Sequence, residues 1–170
     1  MALHLVPADI AALAERVVQD NIAQGRKVAV AESCTGGLVA GALTEIAGSS
    51  AVLDRGFVTY SNEAKMEMLG VAQDIIDTFG AVSIACAWSM AKGALDRSKA
   101  DVAIAISGVA GPGGGTALKP VGTVVFARVV RNSDGEPEGE LKFFEGGDGP
   151  DGRAIIRHQA TLCALELLLP

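Results

Sequence analysis

The sequence has little of what the commonest catalytic sites are built from. Its 170 residues include only two histidines, His4 near the N-terminus and His158 near the C-terminus. A serine–histidine–aspartate triad is therefore not expected, and a solvated or helix-packing role is the better interpretation of both histidines. No cluster of His, Cys, Asp and Glu shows the spacing of metal ligands, so we expect neither a metal nor another cofactor.

Other absences limit where the protein works and what it binds. The three cysteines (Cys34, Cys86, Cys163) are far apart and odd in number, which predicts no disulfide framework and fits a reducing cytoplasm. No apolar stretch approaches the ~18 residues of a membrane span, and no export signal is visible. The net charge of −6 argues against nucleic acid or an anionic membrane as the main partner. A small anionic ligand remains compatible with it.

The hydrophobic pattern predicts an α/β protein. Hydrophobic residues make up 49 % of the chain and aromatics only 4 %, so the core must be aliphatic. Apolar periodicity predicts helices over 7–24, 38–46, 62–69, 72–79, 84–98 and 153–169. It predicts strands over 27–31, 51–60, 101–107, 121–130 and 140–145, with a bulge or an exposed edge near Asp54. We expect one domain, 1–170, folded as a three-layer α/β/α sandwich whose mixed sheet contains a C-terminal antiparallel hairpin.

The stretch from Val28 to Gly37 is the first candidate for chemistry. A buried strand runs into a polar turn and then a helix, and ligands of open α/β sheets bind at such junctions. Ser33 stands at this turn, where the amides of Cys34, Thr35 and Gly36 could hold an oxyanion. The alternative is that Ser33 or Thr35 only caps the helix, and that Cys34 is a small buried side chain.

A base for such a serine is sought in the next strand-to-helix junction. Tyr60 ends the predicted strand, and Lys65 lies one turn into the following helix. A partly desolvated lysine loses its proton near neutral pH and can then accept one from a serine. The competing interpretation makes Lys65 a solvent-facing residue and Tyr60 a packing residue.

A second glycine-rich loop follows the most apolar strand. It starts after Ser107 and runs from Gly108 to Gly115, a composition that lets the backbone approach a ligand closely. No Lys-Ser/Thr pair follows, so it is not a Walker loop, and the first turn lacks the dinucleotide fingerprint. A tight crossover is the alternative. Because Ser33 and Ser107 both end strands, we expect the two turns to share one pocket.

Four motifs in this order resemble one known family. They are Ala31–Gly37 (Ala-Glu-Ser-Cys-Thr-Gly-Gly), Gly48–Ser50, Arg55–Lys65 (Arg-Gly-Phe-Val-Thr-Tyr-Ser-Asn-Glu-Ala-Lys), and Gly108–Gly115 with Lys119–Thr123. Nearly the whole chain resembles the CinA C-terminal domain family, whose PncC-type members are nicotinamide-nucleotide amidases. The chain is similar to the stand-alone form of that family.

The resemblance implies an activity and assigns roles residue by residue. The implied reaction converts nicotinamide mononucleotide to nicotinate mononucleotide and ammonia without a metal. Ser33 would be the nucleophile, Lys65 the base and Tyr60 its partner in proton transfer. The substrate would be bound by residues of the same pocket, namely Ser50, Ser107, Gly108, Gly111, Gly113 and Arg153. Arg153 would face the phosphate, with Arg157 the less favoured choice.

The chain departs from the family pattern at two places. Ser107 stands where the family usually has threonine, which puts affinity in doubt more than chemistry. Ile84 to Trp88 replace residues that tend to be acidic in the family, and we expect this apolar face to pack against a second subunit of a homodimer or higher homo-oligomer. Two rival functions stay open: a catalytically silent nucleotide-binding module, and a serine–lysine amidase for another amide.

Overall fold

The computed structural model describes residues 3–170, which form six α-helices and five β-strands. The helices are α1 (Ala8–Ala23), α2 (Leu38–Thr44), α3 (Asn62–Leu69), α4 (Gln73–Phe79), α5 (Ile84–Asp96) and α6 (Gly152–Leu167). The strands are β1 (Val28–Glu32), β2 (Leu53–Val58), β3 (Val102–Gly108), β4 (Thr123–Val130) and β5 (Glu138–Phe143). A short 3₁₀ helix, Ser49–Ala51, precedes β2.

The strands form one mixed sheet in the order β2-β1-β3-β4-β5. Strands β1, β2 and β3 are parallel, whereas β4 runs antiparallel to both β3 and β5. The predicted α/β class, mixed sheet and C-terminal hairpin are therefore confirmed. The chain leaves β1 toward β2 and returns past β1 to form β3. Such a reversal of strand order opens a crevice at the carboxyl ends of β1 and β3.

Two hydrophobic cores cover the two faces of the sheet, and they differ in the size of the side chains that the strands contribute. The larger residues of β1 and β3, such as Val30 and Ile104, face α1, α2 and α6. The alternate residues of the same strands are alanines, and these face α3, α4 and α5. Because period-2 alternation separates the two sets, the sequence of each strand decides which helices approach closely. Because alanine side chains are small, α5 packs close to this face of the sheet.

A glycine in α5 determines where α3 lies. A Cβ at Gly93 would overlap the carbonyl group of Leu69, the last residue of α3. The missing side chain lets the two helices cross in direct contact. Helix α3 is further fixed at its start, where the Ser61 hydroxyl accepts a hydrogen bond from the Ala64 amide. This placement decides where the side chain of Lys65 can reach.

The bounds of all five strands differ from the predicted ones by up to two residues at an end, and three of these differences bear on the fold. Strand β1 includes Glu32, whose neighbours in the ladders are Val58 and Ile106. Strand β2 is shorter than predicted, because 49–51 are a 3₁₀ turn, and it carries the expected bulge where the register shifts at Asp54. Strand β5 begins at Glu138, which pairs with Arg128, and not at Glu140. The polar sequence between β4 and β5 does not indicate how many of its residues pair in the hairpin.

The residues set aside as unlikely catalysts occupy structural positions. His158 on α6 lies 2.7 Å from a carboxylate oxygen of Asp9 on α1, so it links two helices. All three cysteines are free and buried. No helix among residues 3–170 combines the length and the apolar composition that crossing a membrane requires.

Candidate active site

A cavity of about 270 Å³ opens at the carboxyl ends of β1 and β3. Ser33 follows β1 directly, and its amide donates a hydrogen bond to the carbonyl of Ile106 in β3. The parallel ladder therefore continues one residue past the strand and fixes the serine backbone. Ser107 lies beside it on β3, and both serines line the cavity. The expectation of one pocket shared by the two turns is met.

Lys65 reaches this cavity from the first turn of α3. Its Nζ lies 3.0 Å from the Ser33 hydroxyl oxygen, and it donates hydrogen bonds to the carbonyls of Thr59 (2.8 Å) and Tyr60 (3.0 Å). The side chain is only 1 % exposed. Among residues 3–170, no carboxylate forms an ion pair with it. The serine and the lysine thus form an isolated buried pair.

Burial governs the protonation of the groups around this pair. Loss of solvation lowers the pKa of Lys65, and the neighbouring thiols of Cys86 and Cys34 offset only part of that shift. Burial also raises the pKa of the Cys34 thiol to about 11. Cys34 is therefore a neutral thiol at physiological pH and a poor competitor for Ser33 as nucleophile.

The start of α2 is not the open anion site that the sequence predicts. The buried carboxylate of Glu32 accepts hydrogen bonds from the amides of Gly37 (3.2 Å), Val39 (3.0 Å) and Ala40 (3.1 Å). This side chain takes the place that a bound anion would occupy at the helix N-terminus. An anionic ligand must therefore bind elsewhere, and the turn is held from within the protein.

The three amides proposed to hold an oxyanion are not equivalent. The Gly36 amide donates to the carbonyl of Ser33 at 3.1 Å and is therefore occupied, so its predicted role is wrong. The amides of Cys34 and Thr35 have no hydrogen-bond acceptor in the described part of the chain. Cys34 also lines the cavity, whereas the Thr35 side chain is buried with its hydroxyl unpaired. Only Cys34 and Thr35 keep free donors in this turn.

Tyr60 and Arg153 stand together at the mouth of the cavity. The Arg153 guanidinium donates to the Tyr60 hydroxyl at 3.0 Å and to the carbonyl of Gly111 at 2.6 Å. Tyr60 is 61 % exposed, and it meets Lys65 through its backbone carbonyl and not through its phenol. The contact between the Tyr60 phenol and Lys65 that a shared role in proton transfer would need is therefore absent from this structure. Arg157 does not line the cavity.

The loop after β3 forms the opposite wall. Gly108, Gly111 and Gly113 all line the cavity, as the sequence predicts. The ends of the loop are anchored by hydrogen bonds between the backbones of Val109 and residues 122 and 123. Between those anchors, the amides of Ala110, Gly111 and Gly113 have no partner in the part of the chain that the structure covers. These donors are available to a ligand.

Ser50 does not line this cavity, which corrects the prediction from the motif. It lies in the 3₁₀ turn that precedes β2. Because β2 runs parallel to β1, its beginning lies beside the beginning of β1, and Leu53 pairs with Val28. Ser33 follows the far end of β1. Ser50 is thus at the opposite edge of the sheet within one chain.

Sequence reasoning missed part of the lining. Asn62 lies between Tyr60 and Lys65 in the motif and contributes to the wall, so its amide could have been identified as a candidate. Ala81 and Val82, between α4 and α5, also line the cavity. They are small apolar residues of a loop, and nothing in their sequence indicates contact with a ligand. In residues 3–170, no group of three His, Cys, Asp or Glu is placed to hold a metal ion.

Comparison with known proteins gives consistent matches over nearly the whole chain. The family model described as CinA C-terminal domain matches residues 10–170. The nicotinamide-nucleotide amidohydrolase PncC of Escherichia coli (strain K12) is 47 % identical over 164 residues, which cover 96 % of this chain and 95 % of that protein. A CinA-like protein of Akkermansia muciniphila is 47 % identical over 168 residues, which cover 99 % of this chain but 39 % of that protein.

Solved structures agree with the fold. The crystal structure of the competence/damage inducible protein CihA from Agrobacterium tumefaciens superposes with a TM-score of 0.89 at 53 % identity. The match covers 99 % of this chain and 97 % of that one. A CinA superfamily protein from Klebsiella pneumoniae matches with a TM-score of 0.84 at 42 % identity.

Proposed function

The chain belongs to the CinA C-terminal domain family, and from that premise we propose that it is a nicotinamide-nucleotide amidohydrolase. The substrate is nicotinamide mononucleotide, and the products are nicotinate mononucleotide and ammonia. The observation that supports this proposal most directly is the buried pair of Ser33 and Lys65, 3.0 Å apart in the cavity between β1 and β3. A hydroxyl beside a desolvated amine is one arrangement that allows amide hydrolysis without histidine.

The contacts of Lys65 suit a neutral amine. A neutral amine has two N–H donors and one lone pair, and the carbonyls of Thr59 and Tyr60 can only accept. The carbonyl of Ser61 is a more distant neighbour, at 3.5 Å. If the two nearer carbonyls take both donors, the lone pair is left for the Ser33 hydroxyl, 3.0 Å away. The lowered pKa of Lys65 favours the same protonation state. Lys65 is then a general base for Ser33.

Acylation follows from this geometry. Ser33 Oγ attacks the carboxamide carbon while its proton passes to Lys65 Nζ, and the amides of Cys34 and Thr35 stabilise the resulting oxyanion. Lys65 returns the proton to the amide nitrogen, the C–N bond breaks, and ammonia leaves an ester on Ser33. The positive charge of the substrate's pyridinium ring assists the attack by withdrawing electrons from the carboxamide.

Deacylation repeats these steps with water. Lys65 accepts a proton from the water as its oxygen attacks the ester carbon, and the same amides hold the second oxyanion. The proton then returns to Ser33 Oγ as the ester bond breaks, which releases the nicotinate product and regenerates the hydroxyl. One base serves both halves of the reaction.

The other wall binds the nucleotide. Arg153 stands at the cavity mouth, and the unpaired amides of Ala110, Gly111 and Gly113 lie along the loop below it. A guanidinium and several backbone N–H groups are suitable partners for a phosphate. Arg153 therefore faces the phosphate. Tyr60, hydrogen-bonded to Arg153, belongs to this binding rim and not to the proton transfer.

The experiment is an assay of ammonia release from nicotinamide mononucleotide, with free nicotinamide and other amides beside it. The wild type should release ammonia from the nucleotide, Ser33→Ala should not, and Ser133→Ala, a matched exposed serine of the β4–β5 turn, should behave as wild type. Binding of the nucleotide without ammonia release would support a silent binding module instead. Faster turnover of a different amide would support the rival function, a serine–lysine amidase whose substrate is that amide.

We also propose that the protein forms a homodimer or higher homo-oligomer through the start of α5. Ile84 and Trp88 are 45 % and 41 % exposed, and they lie beside β5, an edge strand with Leu141 and Phe143 exposed. An apolar face next to an unpaired edge suits a second copy of the chain. Trp88→Glu should lower the solution mass. An unchanged mass would contradict the proposal.

The free and buried state of all three cysteines leads us to propose the cytoplasm as the working compartment. The thiols would stay reduced there. Titration of purified, unreduced protein under denaturing conditions should find three free thiols per chain. Fewer would contradict this proposal.

A further inference from the structure

Arg157 contacts the proposed catalytic turn without lining the cavity. It lies one helical turn after Arg153 on α6, but it takes no part in the cavity wall. Its Nε donates to the carbonyl of Cys34 at 3.0 Å, and its Nη2 donates to the carbonyl of Thr35 at 3.4 Å. The Thr35 carbonyl also accepts a hydrogen bond from the Leu38 amide at 3.1 Å, so the half-buried guanidinium is the main partner of the Cys34 carbonyl and a second partner of the Thr35 carbonyl.

These two contacts determine the direction of the neighbouring amides. The carbonyl of Cys34 and the N–H of Thr35 belong to one planar trans peptide unit, so they point in opposite directions. Holding that carbonyl toward α6 directs the Thr35 N–H away from α6. The same holds for the Thr35 carbonyl and the Gly36 N–H, and the Gly36 N–H does turn back to the Ser33 carbonyl.

The sequence makes room for the guanidinium at Gly36. This residue has a φ of 60°, and a Cβ built on it would lie 3.4 Å from Nη2 of Arg157. A side chain there would be strained and would crowd the guanidinium. On the far side of the turn, Glu32 holds the first amides of α2. The turn is therefore held by a cation on its carbonyls and an anion on its following amides.

We propose that Arg157 is a positioning residue that aims the Thr35 N–H, one of the two proposed oxyanion donors. The inference rests on the proposed amidohydrolase function. Arg157 does not line the cavity, and it acts through the peptide plane that it orients. Preorganised donors stabilise an oxyanion because no reorientation is needed during the reaction. Loss of the Arg157 side chain should therefore slow the chemical step more than it weakens substrate binding.

The test compares three variants. Arg157→Gln removes the charge and the two-pronged contact, Arg157→Lys keeps the charge but offers no planar fork, and Arg131→Gln is the control. Arg131 donates to three backbone carbonyls, those of Leu95, Ser98 and Ala100, at the other end of the sheet. Arg157→Gln should lower kcat by about 10- to 100-fold with KM within about threefold, since losing one oxyanion donor costs more than misaligning it. Arg157→Lys should fall between it and the wild type.

A second readout does not depend on the substrate. A fluorophosphonate probe labels a nucleophilic serine when Oγ displaces fluoride from phosphorus and the serine proton passes to the base, here Lys65. The labelling rate of Ser33, followed by intact mass, should fall in Arg157→Gln in parallel with kcat. Arg131→Gln should lose thermal stability and keep both rates.

The outcomes separate this inference from the proposed function. Labelling of Ser33 without ammonia release from the nucleotide defeats the substrate proposal, and the ratio of labelling rates still decides the role of Arg157. An Arg157→Gln protein with wild-type kcat and labelling overturns the inference, as does an equal loss of rate in Arg131→Gln. If Arg157→Gln fails to fold, Arg157→Lys replaces it in the test, and wild-type kcat and labelling in that variant overturn the inference. A wild type that the probe does not label at Ser33 overturns both.

Discussion

The turn after β1 and the loop after β3 look alike in sequence but use their backbone groups in opposite ways. Both contain glycines and follow a buried strand at the carboxyl edge of the sheet. In the turn, Glu32 occupies the amides at the start of α2, and Arg157 occupies two carbonyls. In the loop, the amides of Ala110, Gly111 and Gly113 have no partner among the described residues.

This difference fits the proposed division of roles, in which the turn carries the chemistry and the loop binds the nucleotide. A nucleophile must be held in one place, so the turn that carries Ser33 has most of its polar groups satisfied within the protein. A binding wall needs donors that are free until the ligand arrives. Glycine content alone does not distinguish the two. The distinction comes from the partners of each N–H, which the structure supplies.

The largest expected effect lies in the turn and its base. Lys65→Met keeps an unbranched chain of similar size but removes the amine, so turnover should fall on the order of 10⁴-fold, as when a catalytic serine loses its base assembly. Ammonia release measures the loss, and circular dichroism checks the fold. Lys92→Met, an exposed lysine paired with Asp96, should leave turnover unchanged. Equal activity of the two variants would contradict the role of Lys65.

The pH dependence of the wild type provides an independent check on that base. Because burial lowers the pKa of Lys65 in the folded chain, kcat/KM should rise with pH as Lys65 loses its proton, with a midpoint below the ordinary lysine value. The unfolded chain binds more protons between the lowered and the ordinary pKa. The free energy of unfolding should therefore rise with pH across that window. Urea titrations should show this rise in the wild type and not in Lys65→Met.

The next effect tests whether the turn is held from within. Glu32→Ala leaves three amides of α2 without their acceptor, so the free energy of unfolding should fall by about 3 kcal/mol, as expected for a lost cap and unpaired buried donors. Urea unfolding measures it. Glu67→Ala, an exposed position of α3, serves as the control with almost no change. A loss below about 1 kcal/mol would show that the turn does not depend on this carboxylate.

The loop should respond in binding and not in turnover. Arg153→Gln removes the charged donor at the cavity mouth, so KM for the nucleotide should rise by about 10- to 100-fold, the range for a hydrogen bond to a charged group. We expect kcat to stay within a few-fold. Arg16→Gln on α1, whose partner is Asp20, controls for the loss of one surface charge. An unchanged KM would place the phosphate elsewhere.

Much of the fold and part of the site could be predicted from sequence. Apolar periodicity located each helix and strand, because burial on one or both faces imposes a repeat of 3.6 or 2 residues. The motifs placed Ser33, Lys65 and Arg153 at one cavity, because loops after neighbouring parallel strands meet at one edge. The caps at Ser61 and Ser83 were predictable for a local reason, since each serine bonds an amide three residues later.

The rest depended on contacts between residues distant in sequence. The partner of the Arg157 guanidinium lies more than 100 residues away, and no local pattern indicates it. Glu32 has the spacing of a strand residue, and only the bend of the turn brings its carboxylate to α2. Ser50 was predicted to line the cavity because its motif lies between two others that do. The order of motifs along the chain does not show at which edge of the sheet a residue lies. The motif also could not show that the Tyr60 phenol contacts Arg153, which lies 93 residues away in sequence.

The smallest expected effect distinguishes two glycines within the loop itself. A Cβ at Gly113 would have no heavy atom within 4 Å, whereas Gly111 has a φ of 80° and its Cβ would overlap Val121. Gly113→Ala should therefore change the free energy of unfolding by no more than about 0.5 kcal/mol, while Gly111→Ala should lose at least about 1 kcal/mol. Urea unfolding measures both. Because Gly113 lines the cavity, its alanine variant should still raise KM a few-fold, and an unchanged KM would mean that this part of the wall does not touch the nucleotide.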